Sequence, residues 1–516
     1  MKIQAPLLLA ILSFLMSPVG SAQLNMKFIN NTGLSDSDVF ITFQGGAMNA
    51  TYGAGSSVAP VTPGDIMSNS YSLTTIGAGG FNIINASGPV VYVSYATTIN
   101  GTVMNGNLSG NAVPSYIGSG GANYNQIFQP FEITANQGAT GGQGNLTNIN
   151  YFTAPIAISS YNSSNMTNAL QTRGYYGGTA TGTATLAGAL ATMTASNPLA
   201  TARASDGTIL RYIGPSSYGV GTNPYPTFDS YLTSLAAGNQ TAKIANSNAF
   251  NTQQNPAAGN INYNYTLDFT ASFSEDHTIT LTGNITTTIT PYGGNSTAGT
   301  TYTGAVMTIS PTVGASTNDA TFTNTIYGQA DPLGSGNGST TFNSVWGDLA
   351  ADMAAAGLYL NSVVAGTTYG TTQSLAIGEI TTGLLGGFVG SNATYTGGTG
   401  GYNVWDGQMY EDVPSEAWWN TATIPSPSTL QPDNLFYSQY SEAIFDATGN
   451  QVYSIPFSDR FGTGPLMQTQ LYNGTVVDTW VVTLGAPIFM VPEPATNALL
   501  VLGGLFLAKV ARRRRS

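Results

Sequence analysis

Short β-rich runs separated by turn residues are the feature that most constrains the fold of this chain. Residues Leu24 to Ile29, Val39 to Phe43 and Val90 to Tyr95 form such runs, bounded by turn signals such as Asn-Asn-Thr-Gly and Ser-Gly-Pro. Gln451 to Phe457 and Val476 to Leu484 show the same pattern near the other end. These patterns predict a chain made mainly of β-strands.

Two longer segments alternate apolar and polar residues. They run from Asn262 to Phe273 and from His277 to Thr290, and together they predict a paired hairpin with His277 as a turn residue. Helical patterns are few: Phe228 to Ala237 is short, and Ser344 to Val363 is the best candidate. We therefore expect a mainly β fold with a smaller mixed α/β portion.

Charge and cysteine content exclude several classes of function. The chain has no cysteine and a single histidine, which excludes disulfides, thiolate metal sites and histidine-based zinc sites. Between the two terminal segments, six cationic and 23 acidic residues give a net charge of −17. An acidic surface argues against nucleic acid and anionic lipid as partners. Hydrophobic residues make up 42% of the chain, enough for a sizeable core, and no cofactor is predicted.

The first residues have the parts of a secretion signal. Lys2 supplies positive charge, an apolar stretch runs from Leu7 to Met16, and small residues lead to Ala22. The apolar stretch is too short to span a bilayer. We expect residues 1–23 to be a signal peptide that is removed on export.

The C-terminal residues form a second targeting segment. Pro492, Glu493 and Pro494 precede a mostly apolar run, which is followed by the cationic residues Arg512, Arg513, Arg514 and Arg515. Such a cationic end stays cytoplasmic and stops transfer of the apolar run. The order of these features resembles the PEP-CTERM sorting signal, over residues 486–516. The resemblance implies a short transmembrane helix before processing, an exosortase-type enzyme as partner, and a final place at the cell surface or in the extracellular matrix of a Gram-negative-type bacterium.

Glu132 is the acidic residue most suited to chemistry. It is the only acid between Asp65 and Asp206, and it lies between Phe131 and Ile133. With no cysteine and one histidine, acid–base catalysis would depend on Asp, Glu or Tyr. An apolar environment would raise the pKa of this carboxyl, as a general acid requires, whereas an outward-facing strand position would leave it in water. The local sequence leaves both interpretations open.

The segment around Glu132 resembles the catalytic strand of glycoside hydrolase family 64, the thaumatin-like β-1,3-glucanases. That strand carries Glu-(apolar)-Thr-x-Asn, then a loop and Thr-x-Val-Asp-x-Phe-x-x-Pro; this chain has Glu132 to Asn136 and Thr147 to Pro155 in the corresponding order. The resemblance spans about residues 24–485. Further blocks in the family's order are Phe28 to Ile41, Gly88 to Tyr95, Asp206 to Arg211, Phe228 to Tyr231 and Tyr440 to Asp459.

This resemblance implies a thaumatin-like β-sandwich or barrel lobe beside a mixed α/β lobe, with β-1,3-glucan as the polysaccharide bound. It implies an inverting hydrolysis by two carboxyl groups about 6.5–9.5 Å apart. Glu132 would be the acid, while Thr134, Asn136 and Thr147 would contact sugar hydroxyls.

The chain departs from the family at the second carboxylate. That position is held by Asn150, whose amide cannot accept a proton from water at neutral pH. The general-base contribution, about 10²–10⁴-fold, would therefore be missing. The loop from Gln137 to Asn145 is also longer and Gly-rich, and lacks the family's aromatic platform. Acids distant in sequence that could replace the base are Asp406, Glu411, Asp412, Glu416 and Asp459.

Three functions remain open from the sequence. The chain is an active or weakened glucan hydrolase, a carbohydrate-binding surface module, or a structural protein of the envelope or matrix that shares only the fold. The aromatic residues Trp405, Tyr410, Trp418 and Trp419 favour carbohydrate binding if they face solvent, and are core residues if they do not.

Overall fold

The fold is known from a computed structural model of the chain. It describes residues 23–488 except for 46–47, 54–58, 62–68, 100–101, 109–113, 137–141, 176–179, 196–197, 219–222, 256–258, 291–298, 311, 314–315, 318–325, 328–338, 356–363, 433–436 and 457–464. Residues 1–22 of the predicted signal peptide lie outside the described residues. So does nearly all of the predicted sorting segment, with Pro492 to Pro494 and the four arginines. No helix among the described residues is long and apolar enough to span a bilayer.

The described residues form two compact units. The first contains those up to Ile213, those of Ala447–Tyr453 and those from Pro465 onward; the second contains those of Gly214–Asp446 and Ser454–Gly464. The strands of the first unit are β1 (Leu24–Asn31), β2 (Val39–Gln44), β3 (Met48–Tyr52), β4 (Ala59–Val61), β5 (Tyr71–Ser72), β6 (Phe81–Ala86), β7 (Val90–Tyr95), β8 (Thr97–Ile99), β9 (Thr102–Met104), β10 (Ile127–Ile133), β11 (Ala135–Asn136), β12 (Gln143–Asn145), β13 (Tyr151–Phe152), β14 (Ile156–Tyr161), β15 (Gln171–Gly174), β16 (Thr201–Arg203) and β17 (Ile209–Ile213).

The remaining strands and the helices follow in chain order. Strands of the second unit are β18 (Thr241–Asn255), β19 (Gly259–Phe273), β20 (Ile279–Thr290), β21 (Thr300–Ser310), β22 (Thr312–Val313), β23 (Ser316–Thr317) and β24 (Ser339–Phe342); the first unit ends with β25 (Leu466–Gln468), β26 (Leu471–Tyr472), β27 (Thr475–Val476) and β28 (Thr479–Gly485). The α-helices are α1 (Leu73–Ile76), α2 (Ala180–Ala195), α3 (Asp229–Ala237), α4 (Ser344–Ala355), α5 (Val364–Leu385), α6 (Ser415–Trp418), α7 (Pro427–Leu430) and α8 (Gln439–Thr448).

Two sheets pack face to face in the first unit. One has the strand order β15-β14-β28-β1-β6-β3-β4, with β11 also pairing with β6, and the other has the order β25-β12-β10-β7-β2-β5. Phe43 of the second sheet meets Phe81 of the first with ring centroids 5.0 Å apart. Trp480 of β28 is fully buried and donates from its indole N–H to the carbonyl oxygen of Gln468, 3.0 Å away. The core of the first unit therefore lies between these two sheets.

A three-stranded sheet, β13-β17-β16, packs on the other face of the second sheet. The contact is made by aromatic rings: Phe128 of β10 meets Tyr151 of β13 edge-on, with centroids 5.6 Å apart. The face of β10 that points away from the sandwich core is thus covered by aromatic residues at Phe128, while Glu132 at its other end is exposed.

The second unit is built on the antiparallel sheet β18-β19-β20-β21-β24. Alternate residues of β19, such as Leu267 and Phe269, are buried, and those between them are exposed. Trp346 of α4 stacks on Phe269 with centroids 6.0 Å apart. At the edge strand β18, the Ser415 hydroxyl donates to the carbonyl oxygen of Ala245 and accepts from its N–H, both at 3.1 Å. This contact occupies the backbone N–H and carbonyl groups of Ala245, which are then not free to pair with another strand.

The prediction of a mainly β chain is confirmed, and its strands form several sheets. Strands β1, β2 and β7 fall where they were predicted, and β19 and β20 form the predicted hairpin, with His277 in its turn at φ 63°. The predicted helix from Phe228 is α3. The helix predicted from Ser344 to Val363 is α4 as far as Ala355, and its remainder lies outside the described residues.

The strand predicted from Gln451 to Phe457 is wrong over its described part. Tyr453 makes one isolated bridge with Thr147, and the chain then leaves the ladder. Ser454 instead exchanges hydrogen bonds with Ser441 of α8: the Ser441 hydroxyl donates to the Ser454 carbonyl oxygen (2.8 Å), and the Ser454 hydroxyl donates to the Ser441 carbonyl oxygen (3.2 Å). Side-chain bonds of this kind compete with strand pairing.

Gly144 of β12 lies against Trp480 of the other sheet, which gives a test of how the two sheets pack. A Cβ at Gly144 of β12 would lie 2.4 Å from the Glu132 carbonyl oxygen and 2.6 Å from Trp480 Cη2. Overpacking of this kind costs about 1–3 kcal/mol. Gly144→Ala is therefore expected to lower the unfolding midpoint of the first unit in a thermal melt.

Gly120→Ala is the matched control. Gly120 belongs to the same unit, and a Cβ there would meet nothing within 4 Å. Its midpoint should stay at the wild-type value. Equal midpoints for the two variants would contradict the close contact between β12 and Trp480.

Candidate functional site

Glu132 is placed by the alternation of strand β10. Its neighbours Phe131 and Ile133 are buried in the sandwich core, so Glu132 points to the opposite face and is exposed. It pairs with Val90 of β7 on one side and with Asn145 of β12 on the other. Of the two interpretations left open by the sequence, the structure shows the outward-facing one, because the two apolar neighbours do not enclose the carboxylate.

Asn145 orients the Glu132 carboxylate. Its Nδ2 donates to Glu132 Oε2 across 3.1 Å. The two residues face each other directly in the antiparallel ladder, so the bond follows from the register of β10 and β12. One carboxylate and one amide therefore present acceptors and donors side by side at an exposed point of the sheet.

Tyr92 lies on the same face of the sheet as Glu132, on the neighbouring strand β7, two residues along from Val90, which is opposite Glu132. It is opposite Pro130 and is mostly buried. Burial, and after it the negative charge of Glu132, raises the pKa of Tyr92 to about 12. The phenol therefore keeps its proton at neutral pH and remains a hydrogen-bond donor beside the carboxylate.

A stacked pair of tyrosines continues this surface. The rings of Tyr116 and Tyr151 lie 4.9 Å apart at 23°, with Tyr116 half-buried and Tyr151 buried. Burial raises the pKa of Tyr151 well above its ordinary value, and the neighbouring Tyr92 adds to the shift. Tyr116 also contributes to the raised pKa of Tyr92, which places it near both. Tyr92, Tyr116 and Tyr151 thus form an aromatic wall, in which Tyr92 is the member next to Glu132.

Arg211 stabilises the segment that carries Tyr116, a member of this wall. It is fully buried on β17, with its guanidinium carbon 4.5 Å from the ring centre of Phe128. Its guanidinium donates to the carbonyl oxygens of Tyr116 (3.2 Å), Tyr124 (2.9 Å) and Gln126. Burial lowers the pKa of Arg211 to about 10, so it stays charged at neutral pH. One cation therefore ties down the segment that carries Tyr116.

The other predicted site residues lie near the ends of these strands. Thr134 is half-buried; its N–H donates to the Gln143 carbonyl oxygen (2.7 Å), and its own carbonyl oxygen accepts from Thr469 Oγ1 (2.8 Å). Thr147 is half-buried and makes the bridge with Tyr453. Asn136 lies in β11 and pairs with Asn85. Asn150 is exposed in the bend directly before Tyr151. The hydrogen-bonded partner of Glu132 is Asn145, which the sequence did not single out.

The acids considered as distant replacements for the base belong to another part of the chain. Asp406, Glu411, Asp412 and Glu416 lie in the second unit, and Asp459 lies outside the described residues. The group beside Glu132 is an amide, which orients water or hydroxyl groups but does not take up a proton at neutral pH. Among the described residues, no three Asp, Glu or His side chains form a group that could hold a metal ion.

A buried carboxylate in the second unit was not singled out from the sequence. Glu379 of α5 is fully buried, and its two oxygens accept from Asn246 Nδ2 (2.6 Å) and from the Trp419 indole N–H (3.0 Å). Glu416 is half-buried nearby; burial, and after it the charge of Glu379, raises the pKa of Glu416. The position of Glu379 in the interior depends on how α5 packs, which no local sequence pattern encodes.

The aromatic residues singled out in the second unit divide into two sets. Tyr410, Trp418 and Trp419 are buried around Phe388, so the core interpretation holds for these three. Trp405 is half-buried, on the 3₁₀-helix Tyr402–Trp405.

Replacing Arg211 should loosen the first unit. In Arg211→Met the three carbonyl oxygens lose their donor inside the protein, and each unsatisfied buried polar group costs about 1–3 kcal/mol. The unfolding midpoint of the first unit should therefore fall by several degrees in a thermal melt.

Arg203→Met is the control for the loss of a cation. Arg203 is exposed on β16, and it too donates to a carbonyl oxygen, that of Gly207, at 2.8 Å. An exposed substitution of this kind stays within about 0.5 kcal/mol. If both variants melted at the wild-type temperature, Arg211 would not be holding the segment from Tyr116 to Gln126.

Comparison with known proteins gives matches among solved structures alone. No protein-family model matches the sequence, and no curated protein does. A β-1,3-glucanase domain of glycoside hydrolase family 64 from Clostridium beijerinckii matches at 11% identity and a TM-score of 0.44, over 91% of this chain and 100% of that chain. A laminaripentaose-producing β-1,3-glucanase in complex with laminaritetraose matches at 13% and 0.46, over 90% and 99%. A family 64 laminaripentaose-producing β-1,3-glucanase from Paenibacillus barengoltzii, complexed with laminarihexaose, matches at 11% and 0.36, over 91% and 78%. At these scores and identities the similarity assigns no role to any residue of this chain.

Proposed function

We propose that this chain is an exported protein whose first unit binds β-1,3-glucan or a related polysaccharide at Glu132, with weak hydrolysis at most. The observation that carries the proposal is the exposed Glu132 carboxylate, held by Asn145 at 3.1 Å and next to Tyr92, from which the stacked rings of Tyr116 and Tyr151 continue the aromatic wall. Aromatic rings offer an apolar face to a sugar ring, while a carboxylate and an amide accept from and donate to its hydroxyl groups.

The polysaccharide class comes from the sequence. Glu132 to Asn136 and Thr147 to Pro155 resemble the catalytic strand and following block of the thaumatin-like β-1,3-glucanases. The low cation content favours an uncharged polymer over an anionic one. In this proposal Thr134, Asn136 and Thr147 contact sugar hydroxyls.

Hydrolysis is weak or absent in this proposal because a base is missing. Inverting glycosidases need a second carboxylate to activate water. Asn150 occupies the position that corresponds to it in the resemblance, and the residue bonded to Glu132 is also an asparagine. Glu132 then serves to hold a sugar hydroxyl, and any residual turnover uses it as the acid.

The binding proposal is tested on the purified mature chain, Gln23 to about Val491, by calorimetric titration with laminarihexaose. Tyr116→Ala removes one face of the aromatic wall, and Glu132→Ala removes the hydroxyl acceptor. Each is expected to weaken binding by about tenfold, the equivalent of about 1.4 kcal/mol. Glu275→Ala, which removes an exposed acid in a hairpin turn of the second unit, should bind as the wild type does.

Reducing ends released from laminarin over a day decide the catalytic part. Little or no release by the wild type, with binding retained, fits the proposal. Any release that occurs should disappear in Glu132→Gln and rise in Asn150→Asp. Rapid turnover would contradict the proposal in favour of an active hydrolase, and absence of both binding and turnover would favour a structural envelope or matrix protein.

Export and sorting form a separate part of the proposal. The signal peptide at residues 1–23 and the Pro-Glu-Pro, apolar and arginine features of residues 486–516 support secretion followed by processing by an exosortase-type enzyme. Mass spectrometry of the chain recovered from the surface of its own cells should show a start near Gln23 and loss of the segment after Pro494. A recovered chain that still ends in the four arginines would contradict processing.

A further inference from the structure

The 3₁₀-helix Tyr402–Trp405 of the second unit carries an aromatic surface that the Glu132 site does not use. Tyr402 and Trp405 are half-buried, and Val404 between them is 71% exposed. Side chains three residues apart eclipse in a 3₁₀-helix, so the two rings lie on one face of the turn. Tyr410, Trp418 and Trp419, in contrast, are buried in the core.

The loop that presents these rings is held in place by backbone hydrogen bonds. The Tyr395 N–H donates to the Gln408 carbonyl oxygen, and the Gly407 N–H donates to the Tyr395 carbonyl oxygen, both at 2.8 Å. The backbone of Gly398 packs closely against that of Tyr402, because a Cβ at Gly398 would lie 2.7 Å from the Tyr402 carbonyl carbon. A loop already held in this way loses little freedom when a ligand binds.

Glu416 supplies a polar group beside the rings. It is half-buried, and a chain of hydrogen bonds links it to the turn: the Tyr402 N–H donates to the Thr399 carbonyl oxygen (3.1 Å), the Thr399 N–H to the Asn420 carbonyl oxygen (3.0 Å), and Asn420 Nδ2 to the Glu416 carbonyl oxygen (2.6 Å). Burial of Tyr402, and after it the charge of Glu416, raises the pKa of Tyr402. Glu416 therefore lies near Tyr402, which is on the turn that also carries Trp405. We call Tyr402, Trp405 and Glu416 the Tyr402 patch.

The charge of the surrounding chain narrows the ligand class. Residues 244–459 contain 16 Asp or Glu residues and no Lys or Arg. Such a segment repels nucleic acid, anionic lipid and polysaccharides built from uronic acids. Aromatic rings on one face of a turn fit the apolar faces of pyranose rings, and a lone carboxyl group fits a hydroxyl.

We propose that the Tyr402 patch is a second glycan-binding site, which takes an uncharged hexopyranose chain. Tyr402 and Trp405 pack against sugar rings, and Glu416 bonds a sugar hydroxyl. This site shares the ligand class of the proposed function but none of its residues. Variants at one site therefore test that site without changing the other.

Tryptophan fluorescence of the mature chain gives a direct readout of this site. Of the five tryptophans, Trp346, Trp418, Trp419 and Trp480 are buried, whereas Trp405 is half-buried and within reach of a quencher such as acrylamide. Laminarihexaose and cellohexaose should each protect the quenchable signal. Trp405→Phe should remove that signal altogether.

Variants of Tyr402 test the contact itself. Tyr402→Ala is expected to raise the dissociation constant measured by protection about tenfold, while Tyr402→Phe, which keeps the ring, should stay within about twofold. Tyr472→Ala is the matched control, because it removes a half-buried tyrosine of the first unit. Thermal melts of the three variants exclude unfolding as the cause.

The outcomes separate this inference from the proposed function. Protection of Trp405 that persists in Glu132→Ala and Tyr116→Ala supports the Tyr402 patch even if calorimetry finds no binding at Glu132. Protection by a hexamer of protonated glucosamine alone, or by hexagalacturonate, would overturn the assignment to uncharged glycans. No protection by any of the four oligosaccharides, or equal dissociation constants for Tyr402→Ala and wild type, would overturn the site.

Discussion

The first unit depends on the pairing of its first strand with its last. Strand β1 pairs in parallel with β28 over the whole register from Asn25 with Thr479 to Asn31 with Gly485, at the centre of the eight-stranded sheet. Trp480 of β28 then packs against Gly144 of β12, and the next residue, Asn145, holds Glu132. The strand that positions Asn145 therefore packs against a pair of strands more than 400 residues apart in sequence. Contacts so distant in sequence cost more chain entropy to close than local ones, and the packing of β12 depends on them.

Scarcity of charge decides how the buried ionic groups are stabilised. The cation Arg211 is surrounded by carbonyl oxygens and aromatic rings, and the carboxylate Glu379 accepts from an amide and an indole. Each buried charge is thus met by oriented neutral dipoles. Such contacts organise the segments that supply them: Arg211 fixes the carbonyl groups from Tyr116 to Gln126, and Glu379 joins α5 to β18 and to Trp419.

The parts of the fold that the sequence predicted are those determined locally. The hairpin of β19 and β20 was predicted because one face of it is buried and the alternation is visible over many residues. Helices α2 and α5 were missed because they are rich in Thr and Gly, which are poor helix formers; their buried faces stabilise them through tertiary packing. The same limit applies to the site. Glu132 could be found as a lone acid on a strand, whereas its bond to Asn145 depends on the register of two strands joined by a loop. The role of Arg211 depends on the packing of the sheet β13-β17-β16 against β10.

The spacing of Glu132 and Asn145 favours holding a ligand over cleaving it. An inverting hydrolase needs room for a water molecule between its two carboxyl groups, about 6.5–9.5 Å. The Asn145 amide lies 3.1 Å from the Glu132 carboxylate, so an aspartate at that position would leave two carboxylates sharing one proton, without space for the water. A base would have to come from another residue of the same surface. The residue before Tyr151 of the aromatic wall is again an asparagine, Asn150. In the function we propose, the Glu132 carboxylate accepts from sugar hydroxyls and the amide groups donate to them at any pH near neutrality, which suits a binding site.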